Sequence, residues 1–98
     1  MMEFLWDPDK NNRLKVDGSR GVCFEDVVSA IESGGLLDDV AHPNTIKYAH
    51  QRILIVLFSG YVYAVPYVRQ DDGVRFLKTV FPSRAFTRAY LIGDLDEE

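Results

Sequence analysis

Apolar residues recur at two different spacings, which divide the chain into a helical first third and a strand-rich remainder. In "FEDVVSAIESGG", Phe24, Val27 and Ile31 fall on one face of a helix, which the two glycines that follow bring to an end. The preceding stretch "WDPDKNNRLKV" predicts a short polar helix, with Asp7 as its N-cap and Pro8 at its first position. The first third therefore predicts two helices.

The remainder shows the patterns of strands. "LLDDVAHPN" predicts a short strand or turn, and "KYAHQRILIVLFS" is apolar throughout its middle, as in a strand covered on both faces. "YVYAVPYVR" alternates between two faces, although Pro66 indicates a bulge or a strand edge. "QDDG" predicts a hairpin turn, and the returning strand "VRFLKTVF" places Phe76, Lys78 and Val80 on one face. "SRAFTRAYL" predicts a short helix capped by Ser83.

These elements predict an α+β fold with two N-terminal helices, a small curled antiparallel sheet of three to four strands and one short C-terminal helix. We expect a single domain over residues 1–92 and an acidic tail over residues 93–98. The longest apolar run, residues 53–58, is too short to cross a membrane, and the N-terminus does not resemble a secretory signal. We therefore expect a cytoplasmic protein without a membrane partner, in which Cys23, the single cysteine, is a buried thiol.

Charge is distributed unevenly along the chain. The net charge is −4, yet residues 44–91 carry seven Lys and Arg against two acids. Residues 1–43 have four basic against nine acidic side chains, and the last seven residues add four acids. Such asymmetry points to an anionic partner for the basic half, or to attraction between the two halves.

The candidate chemistry lies in that basic half. The sequence has no Gly-rich phosphate loop, no G-x-S-x-G elbow and no H-E-x-x-H motif. His42 and His50, with the acids at 38 and 39, match no metal-ligand spacing, so we expect no metal ion and no cofactor. Cations bind phosphate, and aromatic rings exposed on a sheet stack on unpaired bases, whereas buried tyrosines only pack and surface arginines are only solvated. The RNA-binding candidates are Lys47, His50, Arg52, Tyr61, Tyr63 and Tyr67, and the catalytic candidates are Lys78, Arg84, Arg88 and Tyr90.

Three stretches carry a resemblance to a known family. They are "MEFLWDPDKNNRLKVDGSRGVCFEDVVSAI", "DDVAHPNTIKYAHQRILIVLFSGYVYAVPYV" and "FLKTVFPSRAFTRAYL". The first is similar to an opening with F-x-W-D-x-x-K, and the third to an ending with P-S-R followed by R-x-x-x-x-Y. On these motifs the chain resembles the BrnT-like toxins of type II toxin–antitoxin systems, within the RelE-like ribonucleases. The resemblance implies a toxin that cleaves RNA without metal, free or on the ribosome, and a cognate antitoxin as partner.

The resemblance also implies roles for the C-terminal residues. Lys78 and Arg84 would hold the scissile phosphate and stabilise its transition-state charge, and Arg88 would support them. Tyr90 would donate a proton or pack against Phe86. The chain has "KVDGSRG" where family members often carry K-H-G. Two alternatives therefore stay open: a non-catalytic interaction module that binds an antitoxin or another acidic protein, and a housekeeping RNA-binding domain.

Overall fold

The computed structural model describes residues 3–17 and 21–92, so the predicted tail at 93–98 lies outside the described residues. Three α-helices and six strands alternate over this part of the chain, and a π-helical turn follows the last α-helix. In chain order the elements are β1 (Phe4–Trp6), α1 (Pro8–Asp17), α2 (Phe24–Glu32), β2 (Leu36–Ala41), β3 (Gln51–Phe58), β4 (Tyr61–Arg69), β5 (Arg75–Leu77), β6 (Phe81–Pro82), α3 (Arg84–Thr87) and the π-helical turn (Arg88–Ile92).

Local side-chain contacts explain where the first two helices begin. The Asp7 carboxylate accepts a hydrogen bond from the Asp9 N–H at 2.9 Å, which confirms the predicted N-cap of α1. Asn11, which is buried, joins the two helices. Its side-chain oxygen accepts from the Phe24 N–H at 2.8 Å, and its amide donates to Glu25 Oε1 at 2.7 Å. Because these bonds satisfy the first turn of α2, the start of this helix is fixed against α1.

The sheet differs from the prediction in three ways. Within the described residues it has six strands, it is mixed, and it is not curled. The order is β1-β5-β4-β3-β2, with β6 also paired to β4. β1 pairs parallel to β5, and all the other pairs are antiparallel. The prediction missed β1 because three residues are too few to show a strand period.

Pro66 explains why the returning strand is broken into two pieces. The Pro66 carbonyl accepts from the Lys78 N–H at 2.8 Å, so the missing N–H of Pro66 faces the same neighbour. β5 therefore ends at Leu77, and pairing with β4 resumes only in β6. The predicted shared face of Phe76, Lys78 and Val80 is consequently wrong for Val80, which is buried in the core on the other side of the sheet.

The sheet separates two cores. On the side covered by α1 and α2, called here the helix face, Phe24 and Val27 pack against Leu54, Val56 and further inward residues of the strands. On the opposite side, called the outer face, a smaller core consists of Ile53, Ile55, Val62 and Ala64, with Phe86 packed against it. Within the described residues no helix is both long enough and apolar enough to cross a membrane.

The C-terminal helical segment, residues 84–92, is fastened across the outer face. Ser83 Oγ accepts from the Phe86 N–H at 3.1 Å, which confirms the predicted cap. Thr87, which is buried, donates through Oγ1 to the Ser83 carbonyl at 2.7 Å and accepts from the Val62 N–H at 3.1 Å. These bonds and the Phe86 ring tie the segment to β4.

Candidate nucleic-acid interface

Three predicted catalytic cations belong to the outer-face side of the sheet. Lys78 follows Phe76 by two residues and lines a groove with Phe76 and Val68, while Arg84 and Arg88 lie on the segment that crosses this face. All three side chains are exposed. Over residues 3–17 and 21–92 none of them forms an ion pair with an acid. Their charges are therefore available to an anion from solution.

These cations belong to one side of the sheet, but their backbones are attached to it at well-separated positions. The Lys78 N–H bonds to the carbonyl of Pro66, and the Ser83 N–H, next to Arg84, bonds to that of Val62 at 2.9 Å. Val62 and Pro66 are four residues apart on β4, a distance of about 13 Å. The predicted convergence on one phosphate is not what this spacing favours. A spacing of about 13 Å suits cations that bind different phosphates of one nucleic-acid strand.

A shallow groove of about 280 Å³ lies beside Lys78, lined by Val68, Gln70, Phe76 and Lys78. Lys78 Nζ is 5.4 Å from the centroid of the Phe76 ring, so a cation and an aromatic face stand together. The groove also offers the Gln70 amide as a donor and acceptor. Neither Phe76 nor Gln70 was among the predicted site residues, although the shared strand face of Phe76 and Lys78 was a usable signal.

Tyr90 lies towards the far side of the outer face, at the β2 edge of the sheet. Its hydroxyl donates to Asp38 Oδ2 at 2.9 Å, and its ring meets Phe86 edge-on with centroids 6.1 Å apart. This hydrogen bond and, to a smaller extent, burial raise the pKa of Tyr90 above its usual value. β2 and β5 are three strand spacings apart, about 14 Å, so Tyr90 and Lys78 lie at separate places.

The prediction that Tyr63 and Tyr67 stack on bases requires a correction. Their exposed fractions are 2% and 0%, so neither ring presents a face to solvent. Both lie on the helix face, which α1 and α2 cover. Tyr61 shares that face; it is half-buried, and its ring packs edge-on against Tyr63 with centroids 6.1 Å apart. The alternation of "YVYAVPYVR" puts Tyr61, Tyr63 and Tyr67 on one face, as the structure has them, but it carries no information about which face is covered.

Arg52 is also on the helix face, away from Lys78, and it is engaged by Asp39. Its Nε donates to Asp39 Oδ1 at 2.9 Å, and its amino group donates to the Asp39 carbonyl at 2.8 Å. The other carboxylate oxygen, Oδ2, accepts from the Tyr67 hydroxyl at 2.7 Å. Burial, followed by Asp39, raises the pKa of Tyr67, while Arg75 acts in the opposite direction. The hydrogen bond from Arg52 to Asp39 raises the pKa of Arg52.

Lys47 and His50 are exposed in the loop between β2 and β3. Lys47 Nζ is 5.2 Å from the centroid of the Tyr48 ring, and that ring also stacks on His42 at 4.4 Å. His42 Nδ1 accepts from the Asn44 N–H at 3.0 Å, a structural role in the loop. Across the described ranges, no three His, Cys, Asp or Glu side chains are grouped to hold a metal ion.

Cys23 is 7% exposed, as expected for a buried thiol, and burial is the main reason that its pKa is raised. A thiol that is kept protonated in this way is a poor nucleophile.

Comparison with known proteins assigns neither a family nor a function to the chain. No family model matches the chain, no curated protein is similar to it, and no solved structure matches the fold. The resemblance to BrnT-like toxins therefore stays a prediction made from the sequence motifs.

Proposed function

We propose that the protein is a metal-independent endoribonuclease of the BrnT-like toxin type, and that RNA lies along the outer face. The observation that carries this proposal is the group of three exposed cations, Lys78, Arg84 and Arg88, which have no acidic partner within residues 3–17 and 21–92. Lys78 lies beside an aromatic groove. Cations for phosphates next to a ring for a base are the combination used for single-stranded nucleic acid.

Under this proposal the groove takes one base and the cations take the backbone. A base stacks on Phe76, the amide of Gln70 contacts its edge, and Lys78 binds the adjacent phosphate. Arg84 and Arg88 then bind phosphates further along the strand, as the separation of about 13 Å along β4 suggests. An arginine fork holds two phosphate oxygens at once.

The reaction uses the 2′-hydroxyl of the RNA as nucleophile. The 2′-oxygen attacks phosphorus, the bond to the 5′-oxygen breaks, and the products are a 2′,3′-cyclic phosphate and a free 5′-hydroxyl. A base must accept the 2′ proton, and an acid must protonate the leaving oxygen. The Asp38–Tyr90 pair on this face supplies both groups. The Asp38 carboxylate accepts the 2′ proton, and Tyr90, whose raised pKa keeps it protonated, donates a proton to the leaving 5′-oxygen. Arg84 and Arg88, on the same C-terminal segment as Tyr90, stabilise the extra negative charge at phosphorus, while Lys78 binds another phosphate of the strand.

The proposal includes an antitoxin that covers the same surface in the cytoplasm. An acidic segment of such a partner would neutralise the three cations and block the groove. The separation of Tyr90 from Lys78 favours a second candidate, in which this protein-binding role is the whole function and catalysis is absent.

The test is RNA integrity in bacterial cells after a brief pulse of expression. The test variant is Lys78→Gln/Arg84→Gln, and the control is Arg13→Gln/Lys15→Gln, which removes the same charge from α1. We expect the wild type and the control to cut RNA at defined positions and the test variant to leave it intact. Intact RNA with all three proteins, each shown to be folded, would refute catalysis and leave the protein-binding role.

A further inference from the structure

Three arginines meet at one end of the helix face, on three neighbouring strands. Arg52 on β3 pairs with Tyr67 on β4, and Arg69 follows Tyr67 by two residues on the same face. Arg69 in turn pairs with Arg75 on β5. Arg52 and Arg69 are thus diagonal neighbours, with about 7–8 Å between their backbones. This arginine cluster (Arg52, Arg69 and Arg75) was not recognised as a unit from the sequence.

Within the cluster, Arg69 and Arg75 face each other directly across an antiparallel pair. Side chains in that relation have Cβ atoms about 5 Å apart, and like charges there destabilise the sheet. Neither residue forms an ion pair with an acid in the part of the chain that the structure describes. The strand pairing therefore places two positive charges side by side without a paired carboxylate.

The guanidinium of Arg75 also lacks an acidic partner among the described residues. Its guanidinium carbon is 5.8 Å from the centroid of the Tyr67 ring, and its Nε is buried without a hydrogen-bond acceptor among the described residues. A buried unsatisfied donor costs stability. The guanidinium lies against a ring, and no carboxylate in the described residues pairs with it. Arg75 as a whole is half-buried, and Arg69 is exposed.

Three of the nearby acids are engaged or lie at the turn. The fourth, Glu3, accepts from the Arg75 N–H through its backbone carbonyl, but it precedes Phe4, which packs on the helix face, so its side chain alternates to the opposite face. Both carboxylate oxygens of Asp39 accept hydrogen bonds, from Arg52 and from Tyr67. Asp72 accepts from the Val74 N–H at 3.0 Å and so closes the hairpin turn, and Asp71 is exposed at that turn. Asp39 thus orients Arg52, and within the described residues Arg69 and Arg75 have no carboxylate bound to them.

We propose that the arginine cluster binds a phosphate monoester or inorganic phosphate. The two negative charges of such a group would match Arg69 and Arg75, whose forks each offer paired donors, and Arg52 would add a third cation. Binding would turn the repulsion between Arg69 and Arg75 into a shared attraction. This site is on the opposite face from the proposed RNA surface and does not depend on the proposed function.

The test is thermal unfolding of the full chain, with chloride replaced by inorganic phosphate at constant ionic strength. We expect phosphate to raise the midpoint of the wild type, because a ligand that binds only the folded state stabilises it. Arg69→Gln should raise the midpoint in chloride, since the repulsion is removed. It should also weaken phosphate binding about tenfold or more, the loss expected for one charge-assisted hydrogen bond.

Two further variants and two further ligands make the result specific. Arg75→Lys keeps the charge but not the fork, so it should lose phosphate affinity without gaining stability in chloride. Arg13→Gln on α1 should respond to phosphate as the wild type does. A 5′-mononucleotide should act like inorganic phosphate. Equal effects of phosphate and chloride, an unchanged response in Arg69→Gln, or stabilisation only by an oligoribonucleotide without terminal phosphates would each overturn the proposal.

Discussion

The Asp39 carboxylate allows a quantitative test of how the helix face is held together. Asp39→Ala removes the acceptor of the buried Tyr67 hydroxyl and the partner of Arg52. Leaving a buried donor unsatisfied costs about 1–3 kcal/mol. The Arg52 contact adds little, because that side chain is 45% exposed and its charge is screened by solvent. We expect Asp39→Ala to lower the free energy of unfolding by about 2–3 kcal/mol, measured by urea titration at pH 7.

A double-mutant cycle separates the hydrogen bond from the other effects of the substitution. Tyr67→Phe should cost about 1.5 kcal/mol, the value for a hydrogen bond to a charged group. In the Phe background no hydroxyl is left unsatisfied, so Asp39→Ala should then cost only about 0.5–1 kcal/mol. The expected coupling is therefore about 1.5 kcal/mol. Asp71→Ala, at an exposed turn position, is the charge-matched control and should change stability by less than about 0.5 kcal/mol. Additive costs in the double variant would refute the reasoning.

Three further predictions concern other parts of the chain. Gly35→Ala should destabilise by about 2 kcal/mol in urea, because a Cβ would lie 2.5 Å from the Leu57 carbonyl oxygen; a change near zero would contradict this. The Asn11 amide is the main reason that the pKa of Glu25 is lowered, so stability should fall as pH drops below 4.5, and Glu25→Gln should flatten that fall in urea titrations against pH. The affinity for single-stranded RNA should fall as salt concentration rises. In a plot of log affinity against log salt concentration, Lys78→Gln/Arg84→Gln should reduce the slope by about 1.4, and the control Arg13→Gln/Lys15→Gln should leave it unchanged.

The helices and the central strands could be predicted because their signals are local. Asp7 and Ser83 cap helices through hydrogen bonds two and three residues along the chain, which a sequence pattern contains. β1 could not be predicted, since its three residues form a strand only by pairing with β5, about 70 residues away. Pro66 gave the correct signal of an interruption, but which neighbour it would interrupt depended on the sheet order.

The candidate site shows the same division. The sequence correctly grouped residues that share a strand face, such as Tyr63 with Tyr67, but it could not say which face the helices would cover. Nor could it show that Arg52 is engaged by Asp39, because that contact crosses from one strand to the next. The groove beside Lys78 depends on the β4–β5 pairing, so it appears only in three dimensions.

Asp38 has a consequence for the behaviour of the protein at high concentration. It lies on β2, the strand that ends the sheet, where unpaired backbone groups are a template for adding strands from other molecules. Its Oδ1 accepts from the Asp39 N–H at 2.8 Å, so this backbone donor is already hydrogen-bonded. Its Oδ2 accepts from the Tyr90 hydroxyl and so anchors a side chain of residues 84–92 beside the strand. The negative charge of Asp38, which has no cationic partner among the described residues, also repels an identical strand brought alongside. The same residue that positions Tyr90 therefore protects the chain against edge-to-edge aggregation.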